Sequence, residues 1–449
     1  KRRISIVRRR EGFCSGWTEV WHRTSRRGEG VSLADTQLRV LVLDEEVPWP
    51  LNSGKRIRTW NLLRRLAARH ALHLLTYGPV SKEAQQILSD HGVSVTPVDA
   101  LPASRGPLFF ARLFRNLFSE YPYSVSKHFT DRLQSAVTEA CAREKFDLAH
   151  IEWVPYARYA TPGLARVLTA HNVEADIWRR RAQHSGTALG RQFFAMQAGR
   201  MEKFERRASV QSDCVIAVSE LDAQRFRSYG ASNVKVVPNG VDLDYFRPMP
   251  QIPQSVSLVF VGSLDWFPNE DAVRDFAVNV LPLIRSKNKQ IKFRVVGRKP
   301  SEKLAAVLGG IDGVELAGEV PDVRPHFAAA RAVMVPLRIG GGTRIKILEA
   351  LAMEKPVIST SVGAEGLELE DGRDILIADS PQEFAAHTET LVASPDLQLR
   401  LGRNGRKVVE AVYGWDAAAE KLEQVWFATA RQIDATVSSP AFAMGEARQ

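Results

Sequence analysis

The feature that most restricts the fold is an alternation, run twice, of short apolar segments with longer amphipathic stretches. In the first half the apolar runs fall at 40–43, 72–77, 148–153, 167–169 and 215–218, with helical patterns such as 56–71 and 131–145 between them. In the second half they fall at 258–261, 293–296, 314–317, 333–337, 357–359 and 375–378. Strands separated by helices join by crossover connections, so each half predicts a parallel sheet with helices on both faces. At 449 residues the chain also exceeds one ordinary core. The expected fold class is α/β, with two doubly wound, Rossmann-like domains. Ligands of open parallel sheets collect at the carboxyl ends of strands, so two such domains facing each other form a cleft.

Boundaries follow from composition. Residues 1–38 form a basic extension without sustained periodicity, and 39–237 the first domain. Residues 238–255 read as a linker, carrying Pro238-Asn239-Gly240-Val241-Asp242 and then Pro248, Pro250 and Pro253. The second domain runs over 256–414, a closing helix over 415–436, and a tail over 437–449.

One segment of the second half carries chemistry. A buried strand at 332–337 leads into Gly340, Gly341 and Gly342, then Thr343, then a helix bearing Glu349, then a strand at 356–359. Three glycines let a backbone approach a ligand closely and leave amides free to donate. Arg344 and Lys346 add two cations where the helix dipole is positive, a placement that calls for an anion to offset it. Glu349 lies further along, where a carboxylate can accept bonds from sugar hydroxyls. The stretch fits a nucleoside diphosphate joined to a sugar, although a solvated strand-to-helix turn gives the same pattern. It is no Walker loop, because Gly-Lys-Ser/Thr does not follow at the required spacing.

Charge and cysteine content bound the setting. The net charge is +10, and residues 1–38 hold nine Lys/Arg against four Asp/Glu. That arm reads as a tether to anionic lipid or as an unordered extension. Nucleic acid is not an expected partner, since few aromatics interleave the charges and no binding module follows. Cys14, Cys141 and Cys214 are widely spaced, with no metal-type pairing, which suits reduced thiols and a cytoplasmic setting. No apolar run reaches the length of a membrane span, and no secretory h-region follows the basic start. Phe110, Leu113, Phe114, Leu117 and Phe118 recur at helical spacing with Arg112 and Arg115 between them. That stripe faces either a core or the inner face of an anionic membrane. Arg179, Arg180, Arg181, Arg191 and Arg200 add positive charge in the same domain.

The two-domain layout, the Pro238–Asp242 stretch and Glu349-Ala-Leu-Ala-Met-Glu-Lys-Pro-Val-Ile-Ser resemble the GT-B glycosyltransferases of the "group 1" family, GT4. Phe260-Val-Gly-Ser-Leu-Asp-Trp-Phe-Pro-Asn269 and Gly340-Gly-Gly-Thr-Arg-Ile-Lys346 resemble its exopolysaccharide-type branch. The resemblance spans roughly 39–426. It implies a retaining transfer from a nucleotide sugar, of the UDP or GDP kind, with no cofactor and no essential metal. Glu349 matches the second glutamate of the family's Glu-x7-Glu signature, which holds donor ribose hydroxyls. The first glutamate falls at Gly341, and the family's Gly-Arg stands here as Gly262-Ser263. Those departures remove one donor-sugar contact and two charges from the diphosphate, for which Arg344 and Lys346 are the replacements.

The resemblance also implies a donor contact at Gly54, in the first glycine-containing loop, with Lys55 and Arg58 meeting phosphate or acceptor. His171, after the strand at 167–169, matches an acceptor-side histidine, and a lone histidine can equally be structural. Gly297, Arg298, Gly318 and Val320 follow strands where a base and ribose would lie. Three function classes remain on sequence alone: a glycosyltransferase acting on a glycan or lipid-linked acceptor in surface polysaccharide synthesis, a non-hydrolysing sugar-nucleotide epimerase, and a non-catalytic scaffold.

Overall fold

The computed structural model describes residues 37–98, 107–249, 257–339 and 345–437. Two wholly parallel sheets organise them. The first holds seven strands in the order β3-β2-β1-β4-β5-β6-β7: Arg39–Asp44 (β1), Ala71–Tyr77 (β2), Val93–Val98 (β3), Leu148–Ile151 (β4), Ala165–Ala170 (β5), Cys214–Ala217 (β6) and Val234–Val236 (β7). The second holds six in the order β10-β9-β8-β11-β12-β13: Ser257–Val261 (β8), Lys292–Val296 (β9), Val314–Gly318 (β10), Ala332–Val335 (β11), Val357–Ser359 (β12) and Leu376–Ile377 (β13). Six of the helices are Gly54–Leu66 (α1), Pro107–Asn116 (α2), Glu174–Gln183 (α3), Ala188–Val210 (α4), Ile345–Ala352 (α5) and Trp415–Val437 (α6), of which α1 and α5 carry residues of the candidate site.

The strands form because near-continuous apolar runs can be buried on both faces only in a helix-covered parallel sheet. In β1, Arg-Val-Leu-Val-Leu-Asp, every residue after the first is buried. Each sheet accordingly carries an apolar cluster on either side. Two strands escaped the sequence pattern, β3 and β7. The first carries Pro97, which an edge strand tolerates, and the second is three residues long. Conversely, the helix expected over 56–71 stops at Leu66, because Ala71 pairs with Arg39 at the start of the sheet ladder.

The expected linker is not a free tether in its described part. Asn239, Val241 and Phe246 are buried, and the Val241 N–H donates to the Tyr413 carbonyl at 2.8 Å. The chain therefore crosses between lobes twice at one place. A Cβ on Gly240 would lie 2.7 Å from the Trp415 ring, so only glycine admits this approach. The closing helix begins where expected, but α6 returns to the first lobe, where Trp415, Leu422 and Trp426 join the cluster of β1 and α1.

Away from that crossing, three contacts that join the lobes lie beyond strand carboxyl ends. Ser263, after β8, donates to the Asn52 carbonyl, after β1, at 2.8 Å. Arg180, after β5, forms a two-pronged ion pair with Glu365, after β12, at 2.8 Å. Gly366 packs on Ser219, after β6, where a Cβ would come within 2.8 Å of the serine Cβ. The sheets thus meet carboxyl end to carboxyl end.

Candidate functional site

On the first lobe the wall is built from residues at or just past strand ends: Asp44 ends β1, Glu152 follows β4 and His171 follows β5. Such positions project over the sheet edge, where backbone pairing ends and side chains converge. Ser53, in extended conformation, caps α1 by accepting from the Arg56 N–H, which aims the helix start at the same edge. Lys55 bonds Asp44 closely and reaches Glu45 at 3.1 Å. Burial raises the Asp44 carboxyl to about 7 despite that ammonium, whereas the two carboxylates hold Lys55 above its usual range. His171 Nε2 lies 3.3 Å from Glu152 Oε2, and His150 Nε2 lies 3.3 Å from Glu152 Oε1. Burial alone would raise Glu152, but the two imidazoles outweigh it and hold the carboxylate ionised. Burial lowers the pKa of His171, with Glu152 opposing, so that ring is neutral.

On the second lobe, Gly262 and Ser263 follow β8. A Cβ on Gly262 would lie 2.5 Å from Lys346 Nζ, and one on Gly297 would lie 2.0 Å from the Gly262 carbonyl oxygen. Gly297 is therefore required by backbone packing, and Gly262 leaves the space that the Lys346 ammonium fills. That ammonium donates to Asn269 Oδ1 at 2.8 Å and sits 4.2 Å above the Phe260 ring. Asn269 is fixed in turn by donating to the Ser263 carbonyl at 2.8 Å. Arg298 reaches Ser263 Oγ at 3.3 Å and Asp265 at 3.5 Å. Gly318 adopts a left-handed φ of 72° and accepts from the Gly297 N–H at 2.8 Å, while Val320 packs on the second lobe's core.

Gly54 and α5 bring the walls together. A Cβ on Gly54 would touch Ile345 Cδ1 at 3.6 Å, an ordinary contact, so the start of α1 faces the start of α5. Glu349 is one turn beyond Ile345 and shares its face. Both are 7% exposed, and burial lifts the Glu349 carboxyl to about 7 against the pull of Lys346. Gly340, Gly341, Gly342, Thr343 and Arg344 lie outside the described residues.

Three expectations require correction. Lys55 is committed to Asp44 and Glu45 rather than presented to phosphate. Arg58 is fully buried, donating to the Val237 and Pro238 carbonyls and to Asn239 Oδ1, each at 2.9 Å, so it braces the interlobe crossing. Arg179, Arg180 and Arg181 are not a free basic patch. Arg179 pairs with Asp176 and Glu202, Arg180 with Glu365, and Arg181 stacks 4.5 Å from both Phe194 and Phe267.

Sequence reasoning missed Asp44, His150, Glu152 and Asn269. Asn269 sat inside a stretch already singled out, and Glu152 directly follows an apolar run. Nothing in the sequence joins His150 to its partners. Among the described residues no group of three or more His, Cys, Asp or Glu is disposed to hold a metal ion, and no helix is long and apolar enough to cross a membrane.

Comparison with known proteins now decides the family. The model described as "Glycosyltransferase Family 4" matches residues 53–245, and that described as "Glycosyl transferases group 1" matches residues 255–394. The chain belongs to the group 1, family 4 glycosyltransferases. A GDP-mannose-dependent alpha-(1-6)-phosphatidylinositol monomannoside mannosyltransferase of Mycobacterium tuberculosis is 30% identical over 48% of this chain and 62% of its own length. The glycosyltransferase EpsD of Bacillus subtilis, itself called putative, is 28% identical over 45% of this chain and 58% of its own. The matched part thus spans about three fifths of these relatives. Among solved structures, HepE of Anabaena in complex with UDP and glucose superimposes with a TM-score of 0.62 at 14% identity, covering 87% of this chain and 99% of HepE. The fold of this group 1 member is GT-B.

Proposed function

We propose that this chain is a retaining glycosyltransferase that moves a sugar from a UDP- or GDP-sugar to a glycan or lipid-linked acceptor in surface polysaccharide synthesis, with no metal requirement. The observation that carries the reading is the meeting of Asn52 and Gly54 with Ser263 and Ile345. On this reading Lys346 and Glu349 meet the donor from one lobe and His171 meets the sugar or acceptor from the other. Glu349 accepts hydrogen bonds from ribose hydroxyls of the donor, and the charges of Lys346 and Arg344 are assigned to the diphosphate. As the bond from the sugar's anomeric carbon to the phosphate oxygen breaks, those cations stabilise the charge left on that oxygen. The same oxygen takes the proton of the acceptor hydroxyl as the new glycosidic bond forms on the same face, which retains configuration. The protein's part is then mainly positioning and charge stabilisation. His171 hydrogen-bonds a hydroxyl of the bound sugar or acceptor. Two similar proteins, one a GDP-mannose-dependent mannosyltransferase and one solved in complex with UDP and glucose, support the choice of donors.

The test is nucleotide release from UDP-glucose, UDP-N-acetylglucosamine and GDP-mannose, wild type beside Glu349→Ala. Release from one donor that the variant loses is the expected result. Release that survives Glu349→Ala removes Glu349 from the site, and no release or binding with any donor favours a scaffold.

The same reading includes docking on the inner face of the membrane. At and beyond the end of α2, Phe114, Leu117 and Phe118 are 64%, 40% and 79% exposed, with Arg112 and Arg115 also exposed. Aromatic side chains beside arginines suit an anionic bilayer surface, and a lipid-linked acceptor resides there. Phe114→Ser with Phe118→Ser should abolish sedimentation with phosphatidylglycerol-containing vesicles while leaving nucleotide release intact. Unchanged sedimentation would contradict this part of the proposal.

A further inference from the structure

One partner of the Lys346 ammonium is a neutral amide whose orientation the protein fixes from its other side. Asn269 is the third residue of the helix Phe267–Asp275 and is 4% exposed. Its Oδ1 accepts from Lys346 Nζ at 2.8 Å, and its Nδ2 donates to the Ser263 carbonyl at 2.8 Å. An amide turned the other way would set an N–H against an ammonium and an oxygen against a carbonyl, so only one orientation satisfies both neighbours. Ser263 is itself held, since its Oγ donates to the Asn52 carbonyl of the first lobe at 2.8 Å and accepts from Arg298 Nε at 3.3 Å. The ammonium stands in the space that Gly262 leaves and above the Phe260 ring. A gap, a ring face and an oriented amide oxygen therefore fix where this charge sits.

The charge of the holder matters as much as its place. In the first lobe Lys55 is held by two carboxylates, Asp44 and Glu45, which offset its charge before any ligand arrives. A carboxylate at 269 would fit the same space and bind the ammonium more strongly, but it would offer an incoming anion an ion pair instead of a cation. The amide holds the ammonium and adds no negative charge of its own.

We propose that Asn269 is a positioning residue for the donor diphosphate: its amide aims the Lys346 ammonium without neutralising it, and the Ser263 carbonyl keeps the amide in that orientation. The proposal rests on the assignment of Lys346 to the diphosphate. Because Ser263 also bonds Asn52, the aim of the cation is tied to the contact between the lobes.

The test is calorimetric titration of UDP and GDP, with uridine and guanosine as probes that carry no phosphate. The proteins are wild type, Asn269→Ala, Asn269→Asp, Lys346→Ala and the double variant Asn269→Ala with Lys346→Ala. Asn269→Asp keeps the shape and an acceptor for Lys346 while adding a negative charge, so it remains decisive even where the alanine variant folds poorly. Asn269→Ala should weaken the nucleoside diphosphate about tenfold, the worth of one charged hydrogen bond, and Asn269→Asp about 10²-fold through like-charge repulsion. The nucleosides should bind all variants within about twofold of wild type, and Asn269→Ala should cost less than about twofold further once Lys346 is alanine. Equal losses for nucleotide and nucleoside, or equal losses from Asn269→Ala in both backgrounds, would make Asn269 merely structural and overturn the proposal. Wild-type diphosphate affinity in Asn269→Asp would overturn it as well. Wild-type affinity in Lys346→Ala would instead overturn the placement of Lys346 at the diphosphate, and the transferase reading is decided separately by nucleotide release from the wild-type protein.

Discussion

The two walls that meet in this protein are built on opposite plans. The first lobe presents an assembled charge network: Lys55 between Asp44 and Glu45, and Glu152 between two histidines, recruited from the ends of β1, β4 and β5 and the start of α1. The second presents space and a single helix: Gly262 and Gly297 clear room, Lys346 fills it, and Glu349 stands alone with a carboxyl lifted to about 7. A network whose charges already satisfy one another is suited to orienting groups. A cation held by an amide oxygen and a ring face, beside a buried carboxyl, is suited to meeting a ligand that brings negative charge and hydroxyls.

The sharpest way to break that contrast is Lys346→Ala. If the ammonium meets the leaving diphosphate, turnover should fall by about 10²–10³-fold, the usual loss for one preorganised charge-stabilising donor. A loss confined to thermal stability would turn Lys346 into another internal strut. Arg58→Ala should behave in the opposite manner. It orphans three buried acceptors at the interlobe crossing and should cost about 3 kcal/mol of stability in denaturant unfolding. Wild-type stability would show that the crossing does not depend on this brace.

A pH series separates the walls further. Burial favours the protonated form of Glu349, so in the free protein it lowers stability as pH rises from the ordinary carboxylate range to about 7. Donor binding runs the other way, because hydroxyls bond better to the ionised carboxylate. UDP or GDP affinity should therefore fall by up to about tenfold per pH unit below 7, and Glu349→Gln should flatten that limb. A limb that persists in Glu349→Gln would assign the titration elsewhere, with Asp44 as the first candidate. The smallest effect is expected from Arg180→Ala. The Arg180–Glu365 pair is partly exposed, so its loss should cost about 1 kcal/mol or less, read as a slightly lower melting temperature.

The same contrast explains what the sequence disclosed. The two-sheet fold was readable because buried parallel strands write continuous apolar runs, and only β3 with its proline and the very short β7 fell below that signal. Glu349 and Lys346 could be singled out in the sequence because glycines, cations and carboxylate lie within one short stretch. Asp44, Glu152 and His150 were not, since each is an isolated polar residue at or near a strand end and acquires meaning only when parallel pairing sets the ends side by side. Lys55 and Arg58 were misread for the same reason: a cation near a glycine loop suggests phosphate, but the partners that claim it come from elsewhere in the chain. The return of α6 to the first lobe is likewise invisible locally, because an amphipathic helix does not record which sheet it covers.

The most direct test of the account is titration calorimetry of UDP and GDP against wild type, Glu349→Ala and His171→Ala, with nucleotide release measured on the same preparations. The account predicts that Glu349→Ala weakens nucleotide affinity at least about tenfold, the worth of one charged hydrogen bond, while His171→Ala binds nucleotide as wild type does and loses turnover. Equal weakening in both variants, or nucleotide affinity untouched by Glu349→Ala, would contradict the division of labour between the two walls.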